Sequence, residues 1–190
     1  MPAPSLRDVK RPLAVLCAGV VLITTSGASA DPQVSAGLTT GVGLTDLRAA
    51  NGPRVAYHLG GRLDCLLLRS RANTMALGPY VSVATEAFDT FQGGGGVEWL
   101  LPIGEPVLVL SAGGFARTSR FGVNPGAEAT LFFGSRSFNY HSAYGLGVGL
   151  FAQGRWGFGE GKQADAIFGA QVDLAYLAFP FIFAYEAVAH

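Results

Sequence analysis

Charge is scarce in this chain. Asp, Glu, Lys and Arg make up 14% of its 190 residues, against about 25% in ordinary soluble domains. The basic residues form no patch, which leaves nothing to meet a nucleic-acid backbone. The three histidines stand far apart, without the spacing of a metal site. Cysteine is limited to Cys17 and Cys65. No uninterrupted apolar run reaches the roughly 20 residues that a spanning helix needs. The four-glycine run Gly93–Gly96 lacks the lysine and Ser/Thr of a phosphate loop. What the chain does have is apolar side chains, at 49%, and 27 glycines.

The first 30 residues read as an export signal. Arg7, Lys10 and Arg11 precede an apolar run from Pro12 to Thr24, and Ala28-Ser29-Ala30 is an A-x-A cleavage site. The run is too short for an anchor. Leu16 stands before Cys17 where lipoprotein processing needs a small residue. The expected division is therefore 1–30 signal peptide and 31–190 mature domain. With Arg7, Lys10, Arg11 and Asp8 removed, 10 basic and 12 acidic residues remain, a net charge of −2. Cys65 is then alone and cannot form an intrachain disulfide.

The rest alternates. Side chains along a strand point to opposite faces in turn, so apolar residues at every second position mark a strand with one greasy face. In Tyr144–Leu150 each bulky apolar residue alternates with glycine. Eight strands are predicted near Gln33–Leu44, Arg54–Leu68, Met75–Asp89, Gly95–Leu101, Val107–Arg117, Ala127–Phe133, His141–Gln153 and Ala166–Tyr176. The connections read as alternately longer and shorter, with short ones at Arg69–Asn73, Pro102–Pro106 and Gly134–Ser137. Short periplasmic turns and longer outer loops are the rule for outer-membrane barrels.

On this register Arg62, Asp64, Glu86, Glu98, Arg117, Glu128, Gln171 and Asp173 all leave the apolar face. An unpartnered polar group in lipid costs several kcal/mol, so the charged face must be the inside. The fold expected is all-β, an eight-stranded antiparallel up-and-down transmembrane β-barrel. Eight strands leave an interior just filled by side chains, which speaks against a general diffusion pore. After Ala178 the apolar parity flips from even to odd, which predicts a bulge or bend near Ala178–Pro180. Phe179 to Tyr185 would follow as an aromatic girdle or a ninth extended piece, with a helix over Leu174–Ala189 as the alternative.

The A-x-A signal, the alternating strands and the stretch Gly94-Gly95-Gly96-Val97-Glu98-Trp99-Leu100-Leu101-Pro102 resemble the small bacterial outer-membrane β-barrel family (OmpA/OmpX-like) over residues 33 to 178. The resemblance implies an outer-membrane location, a lipid environment and a monomer. The chain ends Tyr185-Glu186-Ala187-Val188-Ala189-His190, without the terminal aromatic residue usual in that family.

Some small barrels modify lipids. His141-Ser142 is the nearest approach to a deacylase-like His-x-Ser pair, but neighbours on a strand face opposite ways. His58 with Asp64 or Glu86 is a second candidate acid–base pair, lacking a serine. Gly154–Gly161, with Trp156, Phe158, Glu160 and Lys162, is the loop expected to meet a surface partner. The reading assigns no catalytic, cofactor-binding or metal residue, no cofactor, and a structural or surface-interaction role. A lipid-modifying enzyme and a soluble periplasmic barrel holding an apolar ligand are the alternatives.

Overall fold

The computed structural model describes residues 32–49, 51–119, 122–138, 143–159 and 163–180. Positions 1–30, His141, Ser142, Glu160, Lys162 and the tail beyond 180 lie outside the described residues. Eight strands follow in order: β1 Gln33–Thr45, β2 Arg54–Leu66, β3 Ala76–Glu86, β4 Thr90–Pro102, β5 Val107–Ser119, β6 Gly122–Arg136, β7 Gly147–Gly157 and β8 Ala164–Asp173. Each pairs antiparallel with the next, and β1 pairs with β8 (Leu38↔Val172), so the sheet closes into a barrel. Closure leaves no unpaired strand edge.

The predicted parity holds all the way round. Val55, Val83, Leu150 and Phe168 are among the most exposed side chains, while Asp64, Glu98 and Asp173 are buried. Among the described residues, no Asp, Glu, Lys, Arg or His occupies an outward position of any strand. The outward hydroxyls are few, and Thr40 Oγ1 is satisfied by the Tyr57 hydroxyl at 2.6 Å. Both rims of the wall carry aromatic side chains. Tyr57, Phe88, Phe91, Trp156 and Phe158 ring one end, and Trp99, Phe133, Tyr176 and Phe179 stand toward the other.

Inward glycines let this small barrel close. Gly134 and Gly149 face each other across β6 and β7. A Cβ on Gly149 would stand 2.7 Å from both the Gly134 Cα and the Phe132 ring. A Cβ on Gly113 would stand 2.7 Å from the Tyr80 hydroxyl. The glycines are holes into which larger inward side chains fit. The Gly93–Gly96 run belongs to the body of β4, where it eases strand approach and forms no loop.

Several boundaries differ from expectation. β6 extends far beyond Ala127–Phe133 at both ends, and β7 begins at Gly147 and runs on to Gly157. The connection after β5 shrinks to 120–121, and 87–89 is a three-residue turn. The longer connections 67–75 and 137–146 lie at the end where the chain enters and leaves the barrel. The predicted alternation of short and long connections is therefore not present, and of the three predicted short turns only the one at Pro102–Pro106 stays short. Of the three prolines within strands, Pro102 ends β4, and the other two sit where a ladder stops. Pro79 lies just past the last β2–β3 pair, Asp64↔Tyr80, and Pro125 just outside the first β6–β7 pair, Gly126↔Gly157.

β8 stops at Asp173 and does not reach Tyr176. The Asp173 carboxylate accepts the Ala175 N–H at 2.8 Å and caps a short helix over 174–180. That helix stands where a bulge was predicted. No described helix is long and apolar enough to cross a membrane.

Candidate functional site

The chemistry of the molecule is collected inside the barrel. Arg62, Arg69, Arg117, Arg136 and Arg155 meet Asp64, Glu86, Glu98, Glu128, Asp165 and Asp173, five guanidiniums against six carboxylates. An unpaired charge in such a place costs several kcal/mol; most of these groups lie in an ion pair, while Arg69 and Asp173 are held by neutral partners.

Nearest the termini, Asp64 is held from two sides. Arg62 Nε donates to its Oδ1 and Arg136 Nη2 to its Oδ2, each at 2.6 Å. Ser35 Oγ adds a third donor at 3.2 Å. Arg62 Nη2 reaches on to Glu98 Oε2 at 2.8 Å, and its guanidinium lies 3.9 Å over the Tyr80 ring. Arg69, from the connection after β2, turns back into the mouth. It donates to Gln33 Oε1 and to the carbonyls of Ala72, Arg136 and Ser137. Burial, and then the charge of Arg136, lowers its pKa from the ordinary arginine value. Tyr144 closes the gap where β8 has ended. Its hydroxyl donates to Asp173 Oδ1 at 2.7 Å, and residues 143–145 pair with Val34. Burial and then that hydrogen bond raise the Tyr144 phenol above its usual value.

In the middle Glu128 is a hub. It accepts from Tyr80 at 3.0 Å, Gln92 at 3.2 Å, Gln153 at 3.1 Å and Ser82 at 3.4 Å. Arg155 pairs with Glu86. Toward the far end Arg117 Nη2 donates to Asp165 Oδ2 at 2.5 Å and its Nη1 to Gln163 Oε1 at 3.1 Å.

His58 does pair with Glu86, at 3.3 Å through Nδ1, and not with Asp64. Its Nε2 lies 3.2 Å from Thr39 Oγ1. Hydroxyl, imidazole and carboxylate in that order is the arrangement of a nucleophile, base and orienting acid. The cavity beside it, lined in part by Thr39, His58, Thr130 and Arg155, holds only about 20 Å³. That is room for a water molecule and not for an acyl group. Thr130 Oγ1 and Arg155 Nε, both without a protein hydrogen-bond partner, border it. Among the described residues no cluster of His, Cys, Asp and Glu is placed to hold a metal.

Reading the sequence missed Arg69, Arg136, Arg155 and Asp165 as interior groups. The signal for Arg136 and Arg155 was present, since they share parity with Glu128 and Gln153 on their strands. Trp156, expected in a surface loop, is an outward residue of β7, with the Arg48 guanidinium 3.7 Å above its ring. Cys65 faces outward as expected and is a free thiol. On the outer wall, Ala112, Ala129 and Ala152 floor a hollow of about 480 Å³ walled by Trp99, Leu110 and Leu131. Compared with family models, curated proteins and solved structures, the chain matches none.

Proposed function

We propose that this chain is a small outer-membrane β-barrel, exported by a leader at 1–30, with a structural or surface-contact role and no general pore or catalytic activity. One observation carries the reading: among the described residues the outward face of every strand is free of Asp, Glu, Lys, Arg and His, while five arginines and six carboxyl groups are packed inside. In water that distribution is inverted. Exposed apolar patches on soluble monomers rarely exceed a few hundred Å², and here the whole wall is one. In a bilayer the same distribution is favourable, because the backbone is satisfied by closure and most of the charges by one another. The two aromatic rims are where such barrels meet the headgroups. The outer hollow over Ala112 is suited to an acyl chain.

The test uses the full chain expressed with its leader. Val81 is outward near mid-strand and 52% exposed. Val81→Arg should destabilise the barrel folded in vesicles by about 2–4 kcal/mol, read by urea unfolding, as expected for arginine at the bilayer midplane. On a soluble protein such a surface change stays within about 0.5 kcal/mol. The wild-type protein should sediment with the outer membrane and migrate differently on a gel before and after boiling. Recovery in the soluble periplasmic fraction would overturn the reading in favour of a soluble ligand-binding barrel. Acyl release from lipid that His58→Ala abolishes would favour an enzyme.

A further inference from the structure

We infer that residues 174–180 are a lipid-embedded foot: this short helix lies among acyl chains at the membrane boundary beside the barrel mouth. This rests on the outer-membrane reading and goes beyond it by assigning the surroundings of this apolar helix. Leu174, Tyr176, Leu177 and Phe179 are each between 39% and 48% exposed. Seven successive helical residues point to all sides of the axis, and here they are Leu-Ala-Tyr-Leu-Ala-Phe-Pro. A groove on a partner, or a second copy, takes one apolar stripe and leaves a polar one facing water. A helix apolar on every side calls for a surrounding that is apolar on every side.

Position agrees. The helix begins two residues after Val172, the last outward residue of β8, so it continues the barrel's apolar wall without a break. It leaves at the end where Trp99 and Phe133 stand. Its start is fixed by Asp173, whose Oδ1 takes both the Tyr144 hydroxyl and the Ala175 N–H. Tyr176 and Phe179 meet edge to face at 5.8 Å, and aromatic residues favour the boundary between headgroups and acyl chains. Apart from tyrosine hydroxyls, Glu186 and His190 are the only ionisable side chains after Asp173.

The experiment places a single indole at three positions. Trp156→Phe leaves Trp99, Trp99→Phe leaves Trp156, and both changes together with Phe179→Trp put the reporter on the helix. Each protein is folded into phosphatidylcholine vesicles with or without bromine on the acyl chains, and acrylamide is added from the aqueous side. Bromine should quench the indole at position 179 at least as strongly as it quenches Trp99, and acrylamide should act weakly. Strong acrylamide quenching at 179 with no effect of bromine overturns the inference while Trp99 and Trp156 still report lipid. Protection from both quenchers, rising with protein-to-lipid ratio, overturns it in favour of a second copy. Bromine without effect at Trp99 and Trp156 would sink the outer-membrane reading itself. Leu177→Trp in the same background repeats the measurement should Phe179→Trp fail to fold.

Discussion

At the scale of single residues, the interior is a set of charges that can be judged only in groups. Arg62 holds Asp64 and Glu98 together and covers Tyr80 with its guanidinium face. Arg62→Met keeps most of the volume but leaves Glu98 with Arg136 at 3.7 Å as its remaining cation. Breaking a buried pair from one side costs about 3–5 kcal/mol, because the other charge stays behind. Glu98→Gln removes the negative partner and should be milder. In the double variant the stranded charge is gone, so the loss should fall short of the sum of the singles by about 0.5–3 kcal/mol. Urea unfolding of the four proteins in vesicles measures this. Additive losses would mean that the two side chains do not act on each other. Tyr144 provides a pH signature at the mouth. Its folded pKa is raised, so its contribution to stability is full below the unfolded phenol value of about 10 and declines as pH rises through the folded one. The alkaline loss of stability should be smaller in Tyr144→Phe, compared by unfolding on either side of pH 10.

At the scale of the element, the glycines divide into two kinds that composition does not distinguish. Gly149 is inward, and a Cβ there meets the backbone of β6 and the Phe132 ring. Gly154 is outward on the same strand, with nothing within 4 Å of its would-be Cβ. Gly149→Val should cost at least the 1–3 kcal/mol typical of overpacking, whereas Gly154→Val should be near neutral in lipid. The comparison is read by the fraction folded on unboiled gels and by unfolding midpoint. Equal effects would mean that inward glycines do not set the closeness of strands. The same ambiguity explains what was legible beforehand. Strand number, order of pairing and the in–out parity of Asp64, Glu98 and Asp173 could be read, because a period of two survives errors at strand ends. Gly134 to Ser137 and Gly154 to Asp165 read as turns, because glycine and serine usually punctuate. In this barrel Gly134, Gly154 and Gly157 lie within or at the end of strands, so Arg136 and Arg155 were lost with them. The end of β8 was hidden for another reason. Apolar residues continue past Asp173, and only the capping carboxylate shows where the strand gives way to helix.

At the scale of the whole molecule, the question is whether anything passes through. Leu66, Leu100, Val107, Val109 and Phe132 form an apolar layer within the barrel, and Arg69 fills the mouth from the connection after β2. The charged middle is closed by its own pairs. Two of the interior spaces measure about 20 and 10 Å³, one beside His58 and one beside Arg69. A single water needs roughly 10–15 Å³ on this measure, so each holds about one. A sugar requires many times that volume along a continuous path. Eight-stranded barrels in general have interiors only wide enough for side chains, and this one spends its width on arginine and glutamate. Vesicles containing the folded protein should therefore not swell when placed in an isotonic solution of a small sugar, at any protein-to-lipid ratio. Swelling that scales with protein would mean that the Arg62–Asp64–Arg136 cluster opens as a unit. Arg69→Ala separates the two parts of the seal. It should leave vesicles tight to sugar if the ionic middle is the barrier, and should make them swell if the mouth plug alone closes the barrel.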